Sequence, residues 1–423
     1  MIENHVIVTD LGFGDAGKGV TVDRLAGEGA NLVVRFSGGA QAAHNVVDDS
    51  APTPRHHTFS QFGAGTFHGV PTHLSNTFLV SPYEMAREAS LLEAAGVSDP
   101  LSKVSIDARA LVTTPVHRAA NRAREDARGE ARHGSTGHGI GETTWYGLNF
   151  DAPRVADISD RTQLARKLTA LAEFYAPLIG PSDHEHDSID EMVDVLSSFA
   201  SSVWVTRDSA SIVRNHASFG RVIFEGSQGV LLDEWNGFHP HTTWATVTSA
   251  HARALAAEAG ITPSVLGVTR SYTTRHGAGP FPSEDTALDD LLSEEHNGYG
   301  TYQGRWRVGH LDLVLLRYAV AANRGVDGIV LTHVDHFDRA GGAVEAVTGY
   351  HIEDTTVCEL PVFEHAGDEA QTLSRLAILT HALRDAQCLR EPIEDVVATV
   401  QDATGTPVVM TGHGPLRSQY RWL

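Results

Sequence analysis

Cysteine is almost missing from this chain of 423 residues: only Cys358 and Cys388 occur. Two thiols cannot build a disulfide framework, so a reduced, cytoplasmic setting is expected. No apolar run approaches the roughly 20 residues that a helix needs to cross a bilayer. The opening MIENHVIVTD has no basic stretch followed by an apolar core, so no signal peptide is read there. Basic residues are also scarce, 32 against 53 acidic, giving a formal charge of −21. That balance argues against nucleic acid or an anionic membrane as partner, although it leaves room for a local basic pocket. There are no internal repeats, low-complexity tracts or clear linkers. With 41% hydrophobic residues, the chain has ample material for a large core. A single α/β unit over 1–423, with insertions, is therefore expected.

What is present begins with HVIVTDLGFGDAGKG, His5 to Gly19. An apolar run over His5–Val8 predicts a buried strand, the glycines a loop, and Val20–Ala26 a helix. Such a unit presents backbone N–H groups and a helix start to phosphate. The spacing from Gly12 to Gly17-Lys18 fits a phosphate loop, but Gly19 stands where a magnesium-binding Ser or Thr belongs. The metal then needs another hard oxygen, and Asp15 can supply one. An acid in a phosphate loop argues for chemistry or metal, because charge repulsion would otherwise exclude it.

Similar units recur along the chain. Strand Asn31–Phe36 runs into Ser37–Asn45, where His44 is the side chain able to exchange a proton near neutrality. Asn76–Val80 reads as a strand, with Ser81 and Pro82 opening a helix. A basic helix over Pro115–Arg128 leads into a second glycine loop, Gly134–Gly141. From Asp157 to Ser201 the period is helical, and His184–Asp187 reads as a polar turn and not a metal site. Strand Arg221–Glu225 delivers Gly226-Ser227-Gln228-Gly229. Strand Ser264–Tyr272 precedes the loop Thr273–Pro280. Gly300–Arg307 is a basic island in which Arg305 and Arg307 suit a carboxylate or a phosphate. Strand Gly328–Thr332 ends in His333-Val334-Asp335, and a carboxylate there can take two hydrogen bonds from guanine. Pro407–Met410 reads as the last strand, followed by Thr411-Gly412-His413-Gly414-Pro415.

Taken in order, these pieces resemble the adenylosuccinate synthetase family. The family's GDEGKG is matched by Gly14–Gly19, and its RxxGGxNAGH by Arg35–His44. EGAQG is matched by Glu225–Gly229, STRVGAGPFPTE by the stretch from Thr274 to Glu284, and TKxD by Thr332–Asp335. The matches span almost the whole chain. The resemblance implies an α/β fold with a mainly parallel sheet and flanking helices. It also implies a ligase that uses GTP and Mg²⁺ to join L-aspartate to a 6-oxopurine nucleotide, acting as a cytoplasmic homodimer. The implied catalytic residues are Asp15, which removes the purine N1 proton and contacts Mg²⁺, His44, which stabilises the moving phosphoryl group, and Gln228, which orients the purine. GTP would be held by Gly14, Gly17, Lys18, Gly19, His333, Asp335, Thr411 and Gly412. The substrate nucleotide would meet Gln41, Ser135, Thr136 and Thr248, aspartate would meet Gln303, Arg305 and Arg307, and the metal Asp15 and Ala43.

The chain also departs from the pattern. The loop resembling TTGRxRRxGW is one residue shorter, Tyr302–His310. VTSSNTTAGG becomes Thr242–Thr248 with Trp244 and Val247. No arginine stands at Phe150-Asp151, where the family reaches a neighbouring subunit's substrate phosphate; Arg154 lies close but is displaced. Gln41, Ala43 and His333 replace Asn, Gly and Lys. The activation machinery is kept and the acceptor end altered. A paralogue acting on a modified purine nucleotide therefore stays open. A GTP-binding protein without catalysis is opposed by the retention of Asp15 and His44, and a generic phosphate-loop kinase by Gly19.

Overall fold

The structure is a computed structural model and describes residues 4–50, 53–294, 297–363 and 368–423. Its centre is a ten-stranded sheet. We number the strands of this sheet in chain order: β1 (Val6–Asp10), β2 (Ala30–Arg35), β3 (Thr72–Leu74), β4 (Val104–Asp107), β5 (Trp204–Thr206), β6 (Arg221–Glu225), β7 (Ser264–Arg270), β8 (Gly328–Thr332), β9 (Val408–Gly412) and β10 (Tyr420–Trp422). Across the sheet the order is β10-β9-β8-β7-β1-β6-β2-β3-β4-β5. Every pairing is parallel except that of β9 with β10.

The continuous apolar character of β1 has a plain cause. Val6 and Val8 enter one core with Val33 of β2, while Ile7 enters another with Leu32 and Val34. A strand buried on both faces cannot alternate polar and apolar residues. From β1 the chain builds outward to β5, returns to lay β6 beside β1, and then extends the other edge from β7 to β10. The switch in direction places β1, β6 and β7 side by side, and a crevice opens beyond their carboxyl ends at such a point.

Five helices bear on the site or its flank: α1 (Lys18–Ala26), α2 (Pro115–Arg128), α3 (Ile140–Asn149), α4 (Arg161–Ile179) and α5 (Ile189–Ala200). The helical reading of 157–201 resolves into α4 and α5, with His184 in the turn between them, its Nε2 2.7 Å from Asp126. Several expectations change. The stretches Thr273–Pro280, read as a loop, and Gly300–Arg307 contain strands, Thr273–His276 and Gly304–Gly309, which pair antiparallel. Asn76–Val80 forms a turn, and the strand lies earlier, at β3. Thr77 donates its hydroxyl to Phe36 O (2.7 Å) and Leu79 N–H donates to Gly38 O (2.8 Å), so local bonds replace the ladder there. Thr411 and Gly412 belong to β9, so the loop starts at His413. β9 is also not the last strand, because β10 folds back beside it.

Candidate active site

The glycine loop that leaves β1 meets the β6 loop backbone to backbone. A side chain at Gly229 would lie 2.1 Å from Gly12 O and 2.3 Å from Gly14 N, so only glycine fits. Gly14, Asp15 and Gly17 have φ of 98°, 57° and 92°, and Gln228 has 37°. Left-handed backbone at two non-glycine residues on these adjoining loops marks strain of the kind found at functional sites.

Gly19 now has a physical reason. A side chain there would come within 2.9 Å of the backbone of His44 and Asn45. The strand His44–Asp48 of a small hairpin packs against α1 at this point and brings His44 to the loop.

His44 is buried, and its Nδ1 stands 2.5 Å from Glu225 Oε1 at the end of β6. Loss of solvation pushes the imidazole down to about 4, although the bond to Glu225 opposes this. Burial raises the Glu225 carboxyl, but Arg35 and His44 outweigh it and the group is held below its ordinary value. The pair is therefore neutral imidazole with ionised carboxylate: Nδ1–H donates, and Nε2 keeps its lone pair. Fully buried Arg35 fixes the same carboxylate electrostatically, donating to Phe62 O and Ser227 Oγ, each at 2.9 Å.

The Asp15 carboxylate accepts no hydrogen bond among the described residues. Burial raises it, and Lys18 and Arg270 partly offset that. A carboxyl raised in this way suits a general base. Arg270 Nε donates to Asp15 O at 2.8 Å and holds the turn. Lys18, expected on nucleotide phosphate, is buried with its ammonium 2.7 Å from Asp10.

Gln228 Oε1 and both polar atoms of the Gln41 side-chain amide are buried without partners, beside the Gly38-Gly39 turn. Asp335 Oδ1 is likewise unpartnered. Asp335 sits in the first turn of the helix Val334–Ala340, after left-handed His333 (φ 58°). Burial drives the His333 imidazole well down, and its Nδ1 lies 2.9 Å from Thr332 Oγ1. Gly17 packs on Thr332 and on Tyr420 of β10, which joins the first loop to this motif. Thr411 Oγ1 lies 3.1 Å from His413 Nε2, at the far side of the same motif.

On the acceptor side a cavity of about 540 Å³ is lined by Arg132, Gly134, Gln303, Arg305 and Arg307, among others. Ser135 Oγ pairs with Asn121, while Thr136 sits half-buried in the same glycine loop. Thr248 lies apart from the cavity wall, its N–H donating at 3.4 Å to Asp233 Oδ2. Arg305 donates to Glu284 (2.7 Å) and Asp289 (3.3 Å). Arg307 pairs with Glu284 and donates to the carbonyls of Gly277 and Gly279. Trp306 links the two halves, since Arg270 lies 5.2 Å from its ring centroid. Arg154, the displaced candidate, donates to Arg109 O. Ala43 is exposed one residue before His44.

Sequence reasoning assigned no role to Asp10, Glu225, Arg270, Glu284 or Arg132. Each except Arg132 and Glu284 sits on the last residue of a sheet strand, and that place was the available signal.

An α/β sheet with a phosphate-type glycine loop and a carboxylate–imidazole pair at its switch point has the layout of a nucleotide-dependent enzyme. The sequence model of the adenylosuccinate synthetase family matches residues 7–421, and the chain belongs to that family, whose members are GDP-forming C–N ligases. It is 30% identical to the adenylosuccinate synthetase of Aliivibrio fischeri, over 98% of this chain and 97% of that one. It is 31% identical to that of Proteus mirabilis, over 99% and 98%. Among solved structures, the fully ligated adenylosuccinate synthetase of Plasmodium falciparum covers 100% of both chains with a TM-score of 0.83 at 20% identity. The succinoaminodeoxyadenylate synthetase of cyanophage S-2L, bound to dGMP and to dATP as an energy donor, has a TM-score of 0.60 at 16% identity and covers 100% of this chain and 96% of that one. No helix among the described residues is long and apolar enough to cross a membrane.

Proposed function

We propose that this chain uses GTP to join L-aspartate to C6 of a 6-oxopurine nucleotide, IMP or a close analogue, through a 6-phosphoryl intermediate. The observation that carries this reading is the set of buried, unpartnered polar atoms on Gln41 and Gln228 beside Asp15 and His44. Buried polar groups are otherwise paired, so these await a ligand with complementary donors and acceptors. Asp15 takes the proton from purine N1. O6 attacks the γ-phosphorus, the bond to the bridging oxygen breaks, and GDP leaves. A phosphoryl dianion beside His44 favours the imidazolium, which can then donate to it while Glu225 steadies the charge. The aspartate amine attacks C6, and inorganic phosphate leaves in place of the poor oxide leaving group.

Asp15 and the Ala43 carbonyl fit Mg²⁺. No cluster of three acidic, His or Cys side chains stands among the described residues, and magnesium is usually held by one or two protein oxygens, with phosphate and water completing the shell. When bound, the ion neutralises triphosphate charge. Gly14, Gly17 and Gly19 shape the triphosphate side, and His333, Asp335, Thr411 and Gly412 the guanine side. Arg305, Arg307 and Gln303 meet the aspartate carboxylates, and Ser135, Thr136 and Thr248 the substrate nucleotide. We place the enzyme in the cytoplasm and read it as a homodimer; the exposed aromatic surface of Phe150 and Phe174 on the flank of α3 and α4 supports the homodimer.

One observation favours a modified acceptor as the second reading. Arg154 is committed to a backbone carbonyl, and Asp151 is taken by Arg166 and Lys167, so the 5′-phosphate lacks the family's cation. Incubation with GTP, Mg²⁺, aspartate and a panel of 6-oxopurine nucleotides tests both readings. Phosphate release with a product carrying the added aspartate is expected, and the accepted nucleotide decides between IMP and an analogue. Absence of phosphate release with every nucleotide overturns the proposal.

A further inference from the structure

Asp10 ends β1 and is 1% exposed. Its Oδ1 accepts the N–H groups of Gly12 (2.8 Å) and Gly14 (3.3 Å), and its Oδ2 accepts the N–H of Ala16 (3.1 Å) and the ammonium of Lys18 (2.7 Å). Alternate backbone N–H groups of the loop, those of residues 12, 14 and 16, converge on this one carboxylate with a lysine closing the ring, and convergent loop amides with a lysine are what a glycine loop offers to phosphate. In this protein a side chain of the same strand fills the place. Two opposite charges buried together with three further hydrogen bonds meet the condition under which a buried ion pair is tolerated.

The filled nest has a consequence for the loop. The first in-helix bond of α1 runs from Thr21 N–H to Gly17 O, so the N–H groups of Lys18, Gly19 and Val20 precede it and are left for an external anion. Asp15 lies in the arc between Gly14 and Ala16, two of the three amides that Asp10 pins. Its left-handed backbone is thus held from both sides by one carboxylate.

We propose that Asp10 is a positioning residue that fills the loop's anion nest in place of a ligand phosphate. It makes Lys18 an internal counter-ion and holds Asp15 in its reactive turn. This rests on the ligase reading for the role of Asp15, but the nest itself can be tested without turnover.

The probe is inorganic phosphate, titrated calorimetrically into wild type, Asp10→Gly and Asp10→Gly/Lys18→Met. Emptying the nest should raise phosphate affinity at least about tenfold, the scale of one charged hydrogen-bonded contact, and removing Lys18 should abolish the gain. Equal phosphate binding in wild type and Asp10→Gly overturns the proposal. Should Asp10→Gly fail to fold, Asp10→Asn, Lys18→Met and the double variant decide by thermal unfolding. A double variant more stable than Asp10→Asn shows the two charges to be partners. Simple addition of the two losses overturns the pairing. In steady state, Asp10→Asn should lower kcat and leave the KM for GTP nearly unchanged, and a raised GTP KM with normal kcat contradicts the positioning role. A wild type that binds phosphate as expected but releases none from GTP would instead count against the ligase reading alone.

Discussion

The loops proposed to activate the purine and the strand Gly304–Gly309, proposed to receive the amine, differ in how their polar groups are satisfied before any ligand arrives. At the activating end, Gln41, Gln228 and Asp335 keep buried atoms without partners, and the loop backbone is fixed by Asp10 and by contact with Gly229. At the amine end, Arg305 and Arg307 are already on Glu284, with Asp289 and two carbonyls completing their bonds. An unpaired buried polar group costs about 1–3 kcal/mol, which a matching ligand recovers. A paired arginine must first release its partner. Under the proposed function, the contrast teaches that nucleotide recognition is built in advance, whereas aspartate recognition competes with an internal carboxylate.

The largest effect should come from the activating end. Asp15→Asn is expected to lower kcat at least about 10²-fold, the scale of a positioned acid–base group, with the fold intact by circular dichroism. Near-normal turnover would remove Asp15 from catalysis. The amine end comes next. Arg305→Leu should raise the KM for aspartate by about 10–100-fold, as loss of a charged hydrogen-bonded pair predicts, and leave the KM for GTP within error. A matching rise for both substrates would erase the distinction between the ends. Smaller again, Asp335→Asn should weaken GTP by about tenfold and improve XTP, whose C2 oxygen suits an amide donor. Equal use of ATP and GTP by the wild type would contradict that base reading. Smallest is Glu284→Gln. Since partly exposed ion pairs are worth about 0.2–1 kcal/mol, freeing the arginines should lower the aspartate KM only a few-fold. A rise would show that Glu284 orients the arginines and does not compete for them.

Strands buried on both faces were the most legible part of the sequence. Arg221–Glu225 and Gly328–Thr332 stand where the apolar runs put them, because continuous burial leaves no other pattern. Asn76–Val80 misled, since hydroxyl bonds from Thr77 and the bond from Leu79 to Gly38 divert that backbone from the ladder. β10 escaped because Tyr420–Trp422 is too short to show a period. In the site, the order of glycine loops pointed to Asp15, His44 and Gln228, whose loops the structure gathers beyond the carboxyl ends of the central strands. The pairing of His44 with Glu225, of Lys18 with Asp10 and of both arginines with Glu284 depends on contacts between distant segments, to which local spacing is blind.

Positional isotope exchange in GTP tests the two-ended account most directly, because it reads activation without the amine. Heavy oxygen is placed in the β,γ bridge, and the enzyme receives Mg²⁺ and a 6-oxopurine nucleotide but no aspartate. Reversible transfer to O6 should scramble the label into the non-bridging β-positions in wild type and in Arg305→Leu alike, while Asp15→Asn should be silent. Absence of scrambling in wild type with every 6-oxopurine nucleotide, under conditions where adding aspartate yields product, would contradict activation as a separate, pre-built step.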